Sequence, residues 1–290
     1  MSTHLFSWSA RSKASYTICM KSYQVIAISI LFTVTAWAVQ KPLPQIIIKP
    51  NIWGGASTRD IQKILNSAAR QLWPYAHQNK LAPIKIERSR TGPIVLYRRG
   101  ENGEYLMRLD SEKTYWSQYA FQFAHEFGHI ICGYKKGDQS NLWFEETLCE
   151  TASLFALRGM TKEWKKKPPY PNWKSYGEEF AKYAQKRIKK YPWSRDKSLG
   201  DWFKEKRYTL IKEPANRGRN VRLASKLLPL FEQEPLGWGA CAFINVKKSN
   251  HKRSFPKYLK DWKKSCKTIQ QKEFVEKIAL GFMVNLQSIQ

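Results

Sequence analysis

Tyr115-Trp116-Ser117-Gln118-Tyr119-Ala120-Phe121-Gln122-Phe123-Ala124-His125-Glu126-Phe127-Gly128-His129-Ile130-Ile131 has no proline and is dense in aromatic and aliphatic residues. Such a run predicts a largely buried helix, with Gly133 as its stop. His125 and His129 stand four residues apart, so their imidazoles share one helical face and can grip one metal ion. Glu126 then lies beside that ion. In this HExxH spacing the histidines are ligands, and the glutamate takes a proton from a metal-polarised water that attacks a carbonyl. Burying these polar groups without compensation costs several kcal/mol, and a metal compensates them at once. The plainer alternative is a helix whose histidines are hydrogen-bonded or at the surface.

A catalytic zinc normally takes three protein ligands and keeps one position open for water, so a third ligand is expected from a second helix. After a short polar loop comes Asn141-Leu142-Trp143-Phe144-Glu145-Glu146-Thr147-Leu148-Cys149-Glu150-Thr151-Ala152-Ser153-Leu154-Phe155-Ala156-Leu157. Glu146 and Glu150 are four apart and share a face with Leu142 and Ser153. Two carboxylates on an otherwise mostly apolar helix need a counter-charge, which the metal and its histidines supply. Glu146 is the expected ligand, with Glu145 as the alternative. Glu150, one turn on, is expected to accept a hydrogen bond from the distal ring nitrogen of a ligating histidine, fixing its tautomer.

The pair His125-Glu126-x-x-His129 and Trp143-Phe144-Glu145-Glu146-x-x-x-Glu150 resembles the gluzincin metallopeptidases, of the thermolysin and aminopeptidase type. The resemblance covers about forty residues and implies a glutamate ligand on the second helix, matched by Glu146, with an acidic partner four positions later, matched by Glu150. Where that family often has asparagine, this chain has Glu145. The resemblance also implies a tyrosine or histidine that stabilises the developing oxyanion. His251, Tyr176, Tyr183, Tyr208 and Tyr258 are all available for this, and no motif selects among them.

At 290 residues the chain can bury a sizeable core, and twelve tryptophans argue against disorder. A formal net charge of +27 exceeds what solubility requires. It implies attraction to an anionic partner such as phospholipid headgroups, an envelope polymer, acidic protein or nucleic acid. Residues 1–38 read as an export signal: Lys21 precedes an apolar run from Val25 to Thr35, followed by the Ala36-Trp37-Ala38 cleavage pattern. The run is short for a membrane span; retention as an N-terminal anchor is the alternative, and Met20 is an alternative start. The expected location is therefore periplasmic or extracellular.

Past that segment Cys132, Cys149, Cys241 and Cys266 remain, an even count for an oxidising compartment. Cys132 follows His129 by three and Cys149 follows Glu146 by three. That symmetry suggests a disulfide clamping the site, with buried free thiols as the alternative.

Ahead of the first motif the chain reads as mixed α and β. Gln45-Ile46-Ile47-Ile48 is strand-like, and Ser57 with Asp60 resembles a capping box opening a helix that carries Ile61, Ile64, Leu65, Ala68 and Leu72 on one face. Ile84-Lys85-Ile86 alternates. Pro93-Ile94-Val95-Leu96-Tyr97 and Tyr105-Leu106-Met107-Arg108-Leu109 flank Gly100-Glu101-Asn102-Gly103, a hairpin signal. The order resembles the upper lobe of zincins, which implies that Pro93, Ile94, Val95, Leu96 and Tyr97 form an edge strand able to take an extended peptide by main-chain hydrogen bonds.

The fold expected is α+β: a zincin-like lobe over 40–164, with a small mixed sheet, an edge-strand hairpin and both metal-binding helices, then a Pro/Lys-rich linker over 165–175 and a mainly helical lobe over 176–290. Helices are expected near 176–189, 221–231, 255–262 and 274–282. Nothing between Trp193 and Asn220 identifies chemistry. Aromatics interleaved with basic residues in Trp202-Phe203-Lys204-Glu205-Lys206-Arg207-Tyr208 and Lys257-Tyr258-Leu259-Lys260-Asp261-Trp262-Lys263-Lys264 permit binding to nucleic acid or an anionic surface, but no nucleic-acid module is visible. The expected function is zinc-dependent hydrolysis of a peptide or protein substrate, with one zinc ion. The alternative is a basic surface-binding protein whose metal is structural.

Overall fold

The computed structural model describes residues 41–50, 52–135, 139–194, 196–247 and 252–288. The expected signal segment and His251 lie outside them. Residues 40–290 form one compact unit, mixed α and β, with a four-stranded sheet beneath a larger set of helices. Among the described residues no helix is long and apolar enough to cross a membrane.

The strands are β1 (Ile46–Ile48), β2 (Ile84–Arg88), β3 (Ile94–Arg99) and β4 (Tyr105–Leu109), in the order β1-β2-β4-β3. β1, β2 and β4 run parallel, and β3 is antiparallel to β4 at the edge. The predicted hairpin is therefore present: Gly103 adopts φ +79° in its turn, and the register slips between Leu96 and Arg99. Alternation decides which face is buried, since Ile84, Ile86, Met107 and Leu109 point inward while Lys85 and Arg108 point out.

Helix α1 (Thr58–Leu72) buries the predicted stripe Ile61, Ile64, Leu65, Ala68 and Leu72. Ser57 stands at its N-cap, but its side chain makes no capping bond, so the expected capping box is not formed. α2 (Trp116–Ile131) packs on α1, β3 and β4, and along α3 (Leu142–Lys166). Gly133 ends α2 at φ +91°, and a Cβ there would lie 2.8 Å from the Ala242 carbonyl oxygen, so only glycine fits.

α3 runs nine residues beyond Leu157, and α1, α4 (Gly177–Lys190) and α6 (Arg217–Gln233) all pack against it. The segment expected as a linker holds a short 3-10 turn, Pro171–Tyr176, in which Trp173 packs on Trp116 and Trp164. The remaining helices are α5 (Leu199–Lys212), α7 (Trp238–Cys241), α8 (Phe255–Ser265) and α9 (Ile269–Gly281). α5 lies where no element was expected. Ser198 opens it by accepting a hydrogen bond from the Asp201 amide, and Gly200, Trp202 and Leu210 are its buried residues. The rings of the two basic-aromatic stretches mostly face inward. Trp202, Tyr258 and Trp262 are buried, Phe203 packs on Trp143, Phe255 and Phe282, and Tyr208 alone is well exposed. Rings so packed are not a stacking platform for bases.

Candidate metal centre

α2 and α3 lie close because Gly128 faces Cys149: a Cβ on Gly128 would sit 3.1 Å from both Cys149 Cα and Sγ. Farther along, Ser153 donates a hydrogen bond to the Phe121 carbonyl at 2.9 Å, joining the helices a second time. Held so, the two helices bring His125, His129 and Glu146 together. His125 Nε2 is 3.3 Å from Glu146 Oε2, and His129 Nε2 is 3.7 Å from Glu146 Oε1.

Donor atoms around a tetrahedral ion with bonds of about 2.0–2.1 Å stand roughly 3.3 Å apart, so the separations across Glu146 suit such an ion. The donor types suit zinc, being two imidazole nitrogens and one carboxylate oxygen. Protonation favours the same ligand. Burial alone would raise Glu146, yet the hydrogen bond with His125, the charges of both imidazoles and Arg217 hold it below the ordinary carboxylate range. Burial wins at Glu126, Glu145 and Glu150, whose carboxyls are all pushed up. A second grouping is present, with candidate ligand atoms of His125, His129 and Cys149 within 4.8 Å of one another. Burial and the neighbouring Cys132 raise the Cys149 thiol well above its usual range, and Cys149 is absent from the cavity wall.

Glu145 takes the part expected of Glu150. Its Oε1 is 2.8 Å from His129 Nδ1, and Asn245 donates its amide to Oε2 at 2.6 Å. Tyr258 in turn donates to Asn245 Oδ1 at 3.0 Å. A carboxylate at Nδ1 keeps the proton there and leaves the Nε2 lone pair for a ligand. Glu150 instead faces Arg187, whose Nη2 is 3.7 Å from its Oε1. Neighbouring helical residues point about 100° apart, so Glu145 reaches behind the His129 ring while Glu146 faces its front.

Glu126 is buried, and its Oε2 accepts the Val95 amide of β3 at 2.7 Å. That bond joins the candidate base to the edge strand. A cavity of about 550 Å³ opens here, lined by His125, Glu126, His129, Glu146 and Glu150 together with Pro93, Ile94, Val95, Leu96 and Tyr97. All five expected edge residues thus border the candidate centre. Of the tyrosines considered for the oxyanion, Tyr183 from α4 lines the cavity. Tyr176 sits by Ser117, Tyr208 is 71% exposed, and Tyr258 supports Asn245.

The expected disulfide is not formed. Cys132, Cys149, Cys241 and Cys266 are free buried thiols, with Cys132 close enough to Cys149 and Cys241 to interact with both. A thiol that packs between helices as a small apolar group needs no covalent partner.

Sequence reasoning missed Arg187, Ala215, Arg217 and Asn220, which also line the cavity. Asn216 followed by an apolar-periodic run was a readable helix start, and it does cap α6, accepting from the Arg219 amide. Nothing local marked Arg187 as different from the other basic residues of α4. Comparison with protein-family models, with curated proteins and with solved structures gives no match.

Proposed function

We propose that this protein is a zinc-dependent metallopeptidase-like hydrolase, exported, with a zincin-like arrangement of sheet and helices around its site. His125, His129 and Glu146 would hold one zinc ion, which supplies electrophilic polarisation of a carbonyl and acidifies water. Glu126 takes the proton of the attacking water and delivers it to the leaving amine. Its raised carboxyl suits it to both halves of that transfer. The edge strand β3 aligns an extended peptide along the cavity, and burial keeps the Tyr183 phenol protonated, as a donor to the developing oxyanion must be.

The observation that carries this reading is the Glu146 carboxylate between two imidazole Nε2 atoms, with Glu126 in the same cavity. Metal analysis with digestion of a broad peptide library, with and without chelator, tests it. Glu126→Gln is expected to keep the metal and lose hydrolysis, whereas His129→Ala loses both. Equal activity in wild type and Glu126→Gln would remove the peptidase assignment. The nearness of Cys149 to both histidines favours a second reading, a closed non-catalytic metal site on His125, His129 and Cys149.

A further inference from the structure

Two arginines border the cavity beside the histidines, Arg187 from α4 and Arg217, the first residue of α6. The Arg187 guanidinium lies 4.7 Å above the Phe121 ring. Its approach to Glu150, 3.7 Å, falls outside hydrogen-bond length. Arg187 Nε and Nη2 are buried with no hydrogen-bond partner, and so are Glu150 Oε2 and Asn220 Oδ1. Buried charged groups left this way are costly, and an ion pair kept for stability alone would be expected to close into contact. The Arg187 side chain as a whole keeps 22% of its surface exposed, and it lines the cavity.

Position fixes what the arginines could meet. Phe121 is one turn before His125 on α2, and Glu150 is one turn after Glu146 on α3. Arg187 spans these two residues, about one helical pitch (~5.4 Å) from the candidate centre. That distance is one to two residues of extended peptide, at roughly 3.3 Å each. Arg217 lines the same cavity, its charge felt by both Glu146 and Glu150. The first turn of α6 carries no acidic residue, so the positive end of that helix adds to the field.

We infer that Arg187 and Arg217 form a pocket for a carboxylate of the peptide substrate, one or two residues from the bond that is cut. The inference rests on the hydrolase reading for its substrate class. The carboxylate is either a free chain terminus or an acidic side chain, both of which match the planar donors of arginine.

The test uses full-length Glu126→Gln protein and fluorescence anisotropy with three labelled probes: a neutral peptide amide, the same peptide with a free C-terminal carboxylate, and the amide with one glutamate scanned along it. A carboxylate form is expected to bind about 10- to 100-fold more tightly than the neutral amide. Arg187→Leu abolishes that advantage, Arg187→Lys restores part of it, and Arg217→Gln reduces it. Gain with the free terminus alone identifies a terminal-carboxylate pocket, and gain with the scanned glutamate an acidic side-chain pocket. Equal affinity for all three probes overturns the inference, as does an advantage that persists in folded Arg187→Leu. If Arg187→Leu does not fold, Arg217→Gln decides, since Arg217 is exposed. Hydrolysis by wild type without a carboxylate advantage sinks the pocket alone, whereas an Arg187-dependent advantage without any hydrolysis sinks the peptidase reading alone.

Discussion

Asn245 donates its side-chain amide to Glu145 Oε2 at 2.6 Å, across one hundred residues of chain, while the other Glu145 oxygen holds His129 Nδ1. The orientation of one candidate ligand therefore depends on a residue after α7 and, through Tyr258, on α8. Asn245→Ala leaves a buried carboxylate oxygen without its donor, at an expected stability loss of about 1–3 kcal/mol by chemical denaturation. Zinc affinity measured by chelator competition falls roughly 10- to 100-fold. Unchanged affinity would show that the His129 ring is held without this chain of bonds.

The ligand set can be read by exchanging one atom at a time. Glu146→Gln is expected to remove tight zinc binding, and Cys149→Ser to retain it. Cobalt substitution supplies an independent readout, since a thiolate ligand gives an intense sulfur-to-metal charge-transfer band. Presence of that band in wild type and its loss in Cys149→Ser would establish the closed site instead.

Metal uptake should release protons. Burial acts to lower His129, but the hydrogen bond and charge of Glu145, with Glu146 and Glu126, outweigh it and push the imidazole up to about 10. In the metal-free protein at neutral pH this ring is protonated and must lose a proton to bind zinc, so affinity rises with pH towards about 10. Calorimetric titrations in buffers of different ionisation enthalpy measure the protons released. The same raised value means that its contribution to metal-free stability is fully present below about 6.5 and is lost as pH rises through about 10.

Tyr183→Phe removes the proposed oxyanion donor while keeping the ring. The turnover number is expected to fall about 10²- to 10³-fold with little change in peptide affinity. Loss confined to KM would assign Tyr183 to substrate binding.

Gly128→Ala forces a methyl group against the Cys149 backbone. Overpacking costs roughly 1–3 kcal/mol, against about 1 kcal/mol gained from helix propensity. A net loss near 1 kcal/mol is expected in thermal unfolding, together with weaker zinc binding as Glu146 moves away from the histidines.

The parts of the fold legible in the sequence were those carried by local period or local spacing. Histidines four apart, the Gly100 to Gly103 turn and the stripe from Ile61 to Leu72 declare themselves within a few residues. The role of Glu145 did not, because Glu145 and Glu146 differ only in direction, and the partner that distinguishes them, Asn245, is far along the chain. Spacing alone points to Glu150 as the histidine's partner, whereas Arg187, which faces it, arrives from another helix. α5 is hard to read because Lys206 breaks the face that Leu199, Trp202, Phe203 and Leu210 share, leaving a step of seven residues from Phe203 to Leu210.

The long reach from Asn245 back to Glu145 also bears on synthesis. While the chain is being made, the HExxH helix and its glutamate partner emerge well before the segment that steadies them. A nascent chain stopped short of residue 245 would carry both histidines and yet leave the carboxylate behind His129 without its amide donor. Under the proposed function, full zinc affinity would thus wait until Asn245 and Tyr258 have both been made, which would limit self-digestion before that point.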